Sequence, residues 1–418
     1  MQTLHRRCAG LDVHKDSIWA CVRIAADDGD GKDGGKQRQF IEKFGTSTRE
    51  LLRLGDFLAS HGVSIAAMEA TGVYWKPPWN VLEGRLELML VNAQHVKQVP
   101  GRKTDVCDCA WLAQLLECGL LRASFVPPRP QRELRDLTRQ RTQLLGDRAR
   151  VVNRIQKSLE DANIKLASVA SDITGKSGRA ILDALVEGKL TPQQMAELVH
   201  KRMEAKKPLL REALHGHVTA HHRFMLKQLL GQVDDLDRMI EAFDARIEEV
   251  MSPLERESVR RLDEVPGFDR RSGQNVIAEI GTDMSRFATP RHLASWAGIC
   301  PGNHQSAGKR KSGRTRRANG WLKAALTQAA WGASRTRRSY FSAQHARLTT
   351  RRGVKRATIA VAHSLLVTAH CLLSDPAPFR DLGAQYFQKN PDREQQAKKM
   401  IRKLRCLGYD VEVKRSAA

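Results

Sequence analysis

The first hundred residues alternate between hydrophobic and polar positions in short runs. Three such runs predict an antiparallel meander, with the polar, glycine-rich insert Asp27–Lys36 before the third. A segment with helical leucine spacing and further short apolar runs follow. Antiparallel strands succeeded by helix–strand units are the order of an α/β RNase H-like fold. The predicted strands are Cys8–Val13, Ser17–Ile24, Arg38–Phe44, Val63–Met68 and Leu86–Val91, and the predicted helices are Thr48–His61, Trp79–Glu83 and Thr104–Cys118.

A proline cluster at Pro127, Pro128 and Pro130 ends this pattern, and two long helices with heptad spacing follow. The first covers Gln131–Leu166, where Arg141 and Arg148 interrupt the apolar seam. The second has apolar residues in steps of four and three, which predicts a coiled coil. The helices pair either within one chain as an antiparallel hairpin or between chains as a dimer contact, and a plain amphipathic helix is the simpler alternative. The second seam consists of Leu229, Val233, Leu236, Ile240, Phe243, Ile247, Val250 and Leu254.

Beyond Pro253 the pattern predicts a mainly helical region. The turn Val265–Phe268 leads into a predicted helix, and such a turn offers backbone N–H groups to a phosphate, as helix-hairpin-helix elements do. The 17-residue apolar run Ala357–Leu373 contains two histidines, which favours a buried helix over a membrane span. The predicted elements are Ser272–Ile280, Leu293–Gly298, the loop Cys300–Arg317, the helices Asn319–Ser334 and Arg356–Leu373, and a tail, Pro391–Val413, of one helix and a short strand.

The charge balance indicates a polyanionic partner. The chain has 70 Lys and Arg against 46 Asp and Glu, a formal net charge of +24. From Met284 to Ser374 there is no Asp or Glu, yet this stretch carries 17 Lys and Arg. A merely soluble surface mixes charges of both signs, so this stretch favours nucleic-acid binding. The eight cysteines form no C-x-x-C pair, and no signal-peptide pattern opens the chain, so we expect no zinc site and a cytoplasmic protein.

Four carboxylates stand where they could converge. Asp12 interrupts an apolar strand, Glu69 ends another, and Asp105 and Asp108 are three residues apart on a predicted helix. Taken singly, each is as easily a surface residue or a strand end. As an ordered set they are hard oxygen ligands that suit Mg²⁺ or Mn²⁺. Two such ions, about 4 Å apart, activate a nucleophile and stabilise the leaving oxygen in phosphoryl transfer.

Short motifs surround these acids and the basic C-terminal region. The N-terminal ones are Gly10-Leu11-Asp12-Val13-His14-Lys15, Met68-Glu69-Ala70-Thr71-Gly72, Asn92-Ala93, and Gly101-Arg102-Lys103-Thr104-Asp105 with Asp108. The C-terminal ones are Val265-Pro266-Gly267, Ala278-Glu279-Ile280-Gly281, Arg286-Phe287, Leu293-Ala294-Ser295-Trp296-Ala297-Gly298 and Ser306-Ala307-Gly308-Lys309. In these motifs the chain resembles the DEDD-type transposases of bacterial insertion sequences over nearly its whole length.

The resemblance implies both an architecture and a mechanism. It implies a RuvC-like catalytic domain at 1–128, a helical coiled-coil connector that serves oligomerisation at 129–258, a transposase domain at 259–385 and a tail at 386–418. In this family the four acids hold Mg²⁺, and a C-terminal serine forms a covalent link to DNA. By motif that serine is Ser306. The family more often has glycine directly after the serine, so Ser312, which is followed by glycine, is the alternative.

The resemblance also implies partners. Family members recombine DNA under the guidance of a structured RNA, as dimers or tetramers, so we expect DNA, a guide RNA and further copies of this chain, with no membrane, in a nucleoid-associated bacterial protein. Two other hypotheses stay open: a RuvC-like nuclease or Holliday-junction resolvase in which water attacks, and a non-catalytic binding protein. The cations expected to grip phosphates are Lys15, Arg102, Lys103, Lys309, Arg310, Lys311, Arg314, Arg316 and Arg317.

Overall fold

The fold is seen in a computed structural model of the chain. It describes residues 3–25, 38–70, 72–92, 108–302, 304–306, 308–315, 318–375, 377–387 and 393–411. The chain divides into two compact units, Met1–Pro127 and Pro128–Ala418. The division falls within the proline cluster, where the fixed backbone angle of proline breaks regular structure.

The first unit is built on a mixed five-stranded sheet. Its strands are β1 (Arg7–Val13), β2 (Ser17–Ile24), β3 (Arg38–Gly45), β4 (Ile65–Glu69) and β5 (Glu87–Val91). They lie in the order β3-β2-β1-β4-β5, with antiparallel pairing among the first three and parallel pairing of β1 with β4 and β4 with β5. This is the RNase H-like arrangement that the sequence pattern predicts. The helices are α1 (Thr48–Ser60), α2 (Lys76–Leu82) and α3 (Asp108–Glu117).

Alternation along β1 assigns its residues to two buried faces. Ala9, Leu11 and Val13 pack with apolar residues of α1 and α2 on one side of the sheet. Cys8 packs on the other side with Leu112 and its neighbours in α3. Because both faces are covered, the central strands are almost continuously apolar, and a charged residue within them is conspicuous.

The second unit begins with a long antiparallel helical hairpin formed by α4 (Arg129–Asp161). Its second helix, separated in sequence by four short helices, is α9 (Ala220–Val250). The pairing is within one chain, and the two arginines that interrupt the α4 seam reach across it: Arg141 binds Asp244, and Arg148 binds Asp237 through Nη2 at 3.0 Å. The four short helices are α5 (Leu166–Val169), α6 (Lys176–Glu187), α7 (Pro192–Glu197) and α8 (Lys207–Ala213).

Two helix ends differ from the pattern-based prediction. The first helix ends at Asp161 rather than Leu166, because Asn163 adopts a left-handed conformation with φ of 56°. The second ends at Val250, and Leu254 belongs to the next helix, α10 (Pro253–Asp263), whose N-cap Ser252 forms a capping box with Glu255. The short helices between the arms of the hairpin build a separate apolar core with its distal half, so this region is more than a connector.

The rest of the second unit is a helical bundle. It contains α10, α11 (Arg270–Ile280), α12 (Pro290–Trp296), α13 (Gly320–Arg335), α14 (Tyr340–Arg352) and α15 (Val354–Ser374). By length and composition α15 alone among the described helices would suffice to cross a membrane. However, Val361, Leu365 and Leu366 are fully buried in the bundle core, so α15 is a core helix and no membrane protein is indicated.

The C-terminal tail begins with the last helix, α16 (Arg393–Cys406). The tail was predicted to end in a short strand. Residues 407–411 contain no strand, and residues 412 and 413 lie outside the described part of the chain.

Candidate active site

Two of the four predicted acids lie side by side on neighbouring parallel strands. The register of β1 with β4 pairs Leu11 with Met68, and one residue further along come Asp12 and Glu69. By strand alternation both carboxylates leave the sheet on the face that α3 covers. Both side chains are half-buried. The carboxyl ends of two parallel strands thus bring together acids that are 57 positions apart in sequence.

A third acid, Asp108, is the first residue of α3, and Gly10 explains why this helix approaches the acids so closely. A Cβ atom on Gly10 would overlap the carbonyl oxygen of Cys109 and lie 2.5 Å from the backbone nitrogen of Ala113. The first turns of α3 therefore rest directly on β1, two residues before Asp12. The N-terminus of the helix carries a partial positive charge that favours anions at this end of the sheet.

Cys109, the second residue of α3, packs with Cys21 of β2, which pairs with Gly10 of β1. A hydrogen bond with Cys21 lowers the pKa of the Cys109 thiol, against the effect of burial and of the nearby negative charge of Asp12. Asp12, Glu69 and the start of α3 form one acidic end of the sheet.

Sequence reasoning missed a partner of Asp12. The exposed imidazole of His14 donates from Nε2 to Asp12 Oδ2 over 3.0 Å. The signal was available in the sequence, because His14 follows Asp12 by only two residues. The next residue, Lys15, is also exposed, where β1 turns into β2, and its carbonyl accepts a hydrogen bond from Thr46 Oγ1.

Asp12, Glu69 and Asp108 are three of the four predicted metal ligands, and their chemistry suits a divalent cation. Carboxylate oxygens at one end of a sheet, facing a helix N-terminus, are donors of the kind that Mg²⁺ or Mn²⁺ takes. Yet no three groups in the described part of the chain lie close enough to hold an ion. The convergence of all four acids on a metal ion stays a prediction. Asp105, Arg102 and Lys103 fall within 93–107, outside the described residues.

In the second unit, the region predicted as the loop Cys300–Arg317 contains a two-stranded hairpin. Its strands are β6 (His304–Ser306) and β7 (Lys309–Ser312), and Ser306 pairs with Lys309 next to the turn. Gly308 in the turn has φ of 74°, a conformation that favours glycine. Ser306 thus lies at the tip of the hairpin, whereas Ser312 pairs with His304 at its base.

A backbone hydrogen bond joins the residues on either side of this hairpin. The backbone N–H of Gly302 donates to the carbonyl oxygen of Arg314 over 3.0 Å. Lys309 and Arg314 are exposed, as expected for phosphate-gripping cations. The side chains of Ser306, Arg310, Lys311 and Ser312, and all of Arg316 and Arg317, are outside what the structure describes.

A buried carboxylate anchors the chain just beyond the hairpin. Glu279 of α11 is 2% exposed and accepts two hydrogen bonds from Arg139, at 2.7 and 2.9 Å. It accepts a third from Asn319 Nδ2 at 2.6 Å. Asn319 in turn caps α13 by accepting from the N–H groups of Trp321 and Leu322. Glu279 therefore connects α4 and α11 to Asn319, where the chain returns from the β6–β7 hairpin to the helical bundle.

A second arginine of α4 approaches the same carboxylate. Arg135 Nε lies 3.6 Å from Glu279 Oε2 and donates to the carbonyl oxygen of Ala278 over 2.8 Å. Burial lowers the pKa of Arg135 to about 10, although Glu279 opposes that shift. The motif Ala278–Gly281 drew attention to this segment, but the sequence alone does not reveal these partners.

The turn before α11 has a packing function. A Cβ atom on Gly267 would overlap the carbonyl oxygen of Ala329 in α13, so glycine is required for the close approach of these elements. The N-terminus of α11 is capped by the carboxylate of Asp269, which accepts from the N–H of Ser272. This cap takes up one backbone donor at the start of α11, and phosphate binding at the turn stays a prediction.

Comparison with known proteins matches both halves of the chain. Residues 9–164 match a family described as transposase, the DEDD type of IS110, and residues 259–346 match the transposase IS116/IS110/IS902 family. Together these regions cover more than half of the chain. The first contains Asp12, Glu69 and Asp108, and the second contains Ser306.

Individual relatives were also found. The chain is 25% identical to a "Probable family 20 transposase" of Pseudomonas aeruginosa (strain PAO1) over 282 residues, 66% of this chain and 72% of the relative. A solved structure, that of Thermus thermophilus RuvC, matches 28% of this chain and 99% of its own length. That match has 14% identity and a TM-score of 0.21.

Proposed function

The chain belongs to the DEDD-type transposases of insertion sequences, enzymes that act on DNA, and we propose that it excises and inserts its element through a covalent serine–DNA intermediate. The observation that carries the proposal is the acidic end of the sheet, where Asp12 and Glu69 lie in register and α3, which begins with Asp108, rests on β1. Asp105 completes the set of acids.

The four acids would hold Mg²⁺, or Mn²⁺ in its place. When bound, such an ion polarises a phosphate oxygen and stabilises charge on the attacking or leaving oxygen. The residues of the chain position it: β1 and β4 present two carboxylates in register, and Gly10 lets α3 bring the third. His14 holds Asp12 Oδ2 in place by its hydrogen bond.

Ser306 is the nucleophile in this proposal. Its Oγ attacks a backbone phosphorus, a phosphoserine ester forms, and the P–O bond to one deoxyribose breaks. The proton of the hydroxyl passes to a base, and the leaving deoxyribose oxygen takes up a proton. In strand exchange a deoxyribose hydroxyl of another strand attacks the same phosphorus and releases the serine. The place of Ser306 at the hairpin tip, paired with the exposed Lys309, supports this role over Ser312 at the base.

The cations near the two centres grip phosphates. Lys15 lies beside the acidic end of the sheet, and Lys309 and Arg314 lie on the hairpin segment. The further members of the set are Arg102, Lys103, Arg310, Lys311, Arg316 and Arg317. A structured guide RNA is the second polyanion, and the enzyme works as a dimer or tetramer in the bacterial cytoplasm, at the nucleoid. The net charge of +24 supports this pair of polyanionic partners.

A covalent-adduct assay tests the nucleophile. Wild type, Ser306→Ala and Ser312→Ala are incubated, in Mg²⁺ and in chelator, with end-labelled DNA that carries the native gene and its flanks, together with RNA transcribed from those flanks. Denaturing gels then report protein-linked DNA. We expect an adduct with wild type and with Ser312→Ala in Mg²⁺, and none with Ser306→Ala, while DNA binding persists in all three.

The other outcomes separate the alternatives. An adduct formed by Ser306→Ala and lost in Ser312→Ala would move the nucleophile to Ser312. Cleavage by wild type without any protein-linked DNA would indicate attack by water, the chemistry of a nuclease or resolvase.

A further inference from the structure

Four cations flank the turn between α14 and α15. Arg351 and Arg352 end α14, Gly353 turns the chain with φ of 79°, and Lys355 and Arg356 begin α15. All four cationic side chains are exposed, and none is ion-paired with a carboxylate in the described part of the chain. We name this group the α14–α15 basic turn.

Arginines of α4, α6 and α9 have carboxylate partners instead. Arg148 and Arg179 each engage a carboxylate with two nitrogens, and even the exposed Arg238 has Asp235 one turn away. Internal pairing leaves such side chains little net charge to offer a partner. The basic turn lies in the segment from Met284 to Ser374 that has no acid, so its positive charge is not compensated locally.

An exposed tryptophan is connected to this turn. Trp331 of α13 is 39% exposed, and the guanidinium of Arg335 lies 6.0 Å from its ring centroid. The ring of His345 in α14 lies 5.9 Å from it. His345 Nε2 is 3.2 Å from the hydroxyl of Thr358, which is one helical turn beyond Lys355 in α15. A continuous set of contacts thus runs from Trp331 to the first turns of α15.

We propose that Trp331 and the α14–α15 basic turn form a binding site for single-stranded nucleic acid. The cations hold consecutive phosphates, and an unpaired base stacks on the indole ring. Stacking requires a base whose face is free, which a paired and stacked duplex does not offer. None of these residues belongs to the acidic end of the sheet or to the β6–β7 hairpin. It rests on the proposed function only in that the enzyme handles nucleic acid.

Binding in chelator tests the site without any cleavage. Fluorescence anisotropy measures the Kd of labelled 20-nucleotide oligo(dT), oligo(U) and a mixed-sequence DNA duplex over a series of KCl concentrations. The variants are Trp331→Ala, Trp331→Phe and the triple variant Arg351→Gln, Arg352→Gln and Lys355→Gln. The matched control is the triple variant Arg238→Gln, Arg246→Gln and Arg260→Gln, which removes equal charge from exposed arginines that have a neighbouring acid.

The expected losses are specific. Trp331→Ala weakens binding of the single strands by roughly 5- to 100-fold and leaves duplex binding unchanged, whereas Trp331→Phe retains most of the affinity. The triple variant of the basic turn lowers the slope of log K against log salt by about 2 for single strands. The control triple variant leaves that slope within error of wild type. Comparing oligo(dT) with oligo(U) tells whether the strand is DNA or RNA.

Two results would overturn the site. Equal loss of duplex and single-strand affinity in Trp331→Ala would show that no base stacks there. A basic-turn variant with the salt slope of wild type would show that the turn does not contact the phosphates. Because Trp331 and the three cations are exposed, their replacement spares the core, and thermal melting checks this. These measurements report binding and not DNA cleavage. A failure of the proposed catalytic mechanism would therefore appear in the adduct assay and not here.

Discussion

Glu279 is a charged side chain inside an apolar bundle, and it persists there because donors from two other elements surround it. A buried carboxylate without partners is expensive, and Arg139 and Asn319 supply three hydrogen bonds. Since Asn319 is also the N-cap of α13, the charge of Glu279 stabilises the point where the hairpin segment ends. Glu279 therefore supports both the stability of the bundle and the placement of the β6–β7 hairpin.

Replacing Glu279 tests this role. Glu279→Ala leaves the partly buried Arg135 and Arg139 without their carboxylate and removes the partner of Asn319, and we expect it to lower the free energy of unfolding by about 3–5 kcal/mol. Glu279→Gln keeps the shape and part of the hydrogen bonding, so its loss is smaller. The exposed Glu249, paired with Arg246, provides the control Glu249→Ala, expected to cost at most about 1 kcal/mol. Urea denaturation measures all three, and equal effects of Glu279→Ala and Glu249→Ala would contradict the anchoring role.

At the scale of elements, the contact of β1 with α3 decides whether the acids meet. Gly10 has no side chain, and α3 fills the space where one would be. Neither strand nor helix carries the site alone, since Asp12 and Glu69 come from the sheet and Asp108 from the helix. The glycine thus allows the helix that begins with Asp108 to rest on the strand that carries Asp12.

Gly10→Ala tests this contact. The added methyl group overlaps the backbone of α3, so we expect a loss of roughly 1–3 kcal/mol in stability and slower DNA cleavage as Asp108 moves away from Asp12. Gly231→Ala is the matched control, because Gly231 lies within a helix with open space around it and alanine there is neutral or stabilising by up to about 1 kcal/mol. Unchanged stability and cleavage in Gly10→Ala would refute the argument.

The sequence predicts the elements well where hydrophobic periodicity is strong. The five strands of the first unit and the long helices α9 and α15 are recognisable because one or both faces are apolar. The β6–β7 hairpin was predicted as a loop, because strands such as Lys309–Ser312 are polar throughout and lack any alternation of polar and apolar residues. The sequence pattern also did not predict the separate apolar core that α5–α8 build, since each of these helices has few turns and a weak periodic signal.

At the scale of the whole molecule, the acids were predictable and their surroundings were not. The order of Asp12, Glu69 and Asp108 along apolar strands and a helix is sufficient to indicate one end of the sheet as the acidic one. Contacts such as His14 with Asp12, or Glu279 with Asn319, depend on side-chain geometry that no periodicity encodes. Guide RNA, oligomeric state and Ser306 as nucleophile stay predictions, because they concern partners and a chemical step rather than the fold of one chain.

The most direct test of the account is metal-dependent DNA cleavage by Asp12→Asn. The substrate is the end-labelled DNA with its transcribed flanks, and the control is Asp56→Asn, which changes an exposed acid on α1 of the same unit. Wild type and Asp56→Asn are expected to cleave in Mg²⁺ and to stop in chelator. Asp12→Asn is expected to bind DNA normally but cleave roughly a thousandfold more slowly, since a metal ion contributes several kcal/mol. Cleavage by Asp12→Asn at the wild-type rate in Mg²⁺ would contradict it.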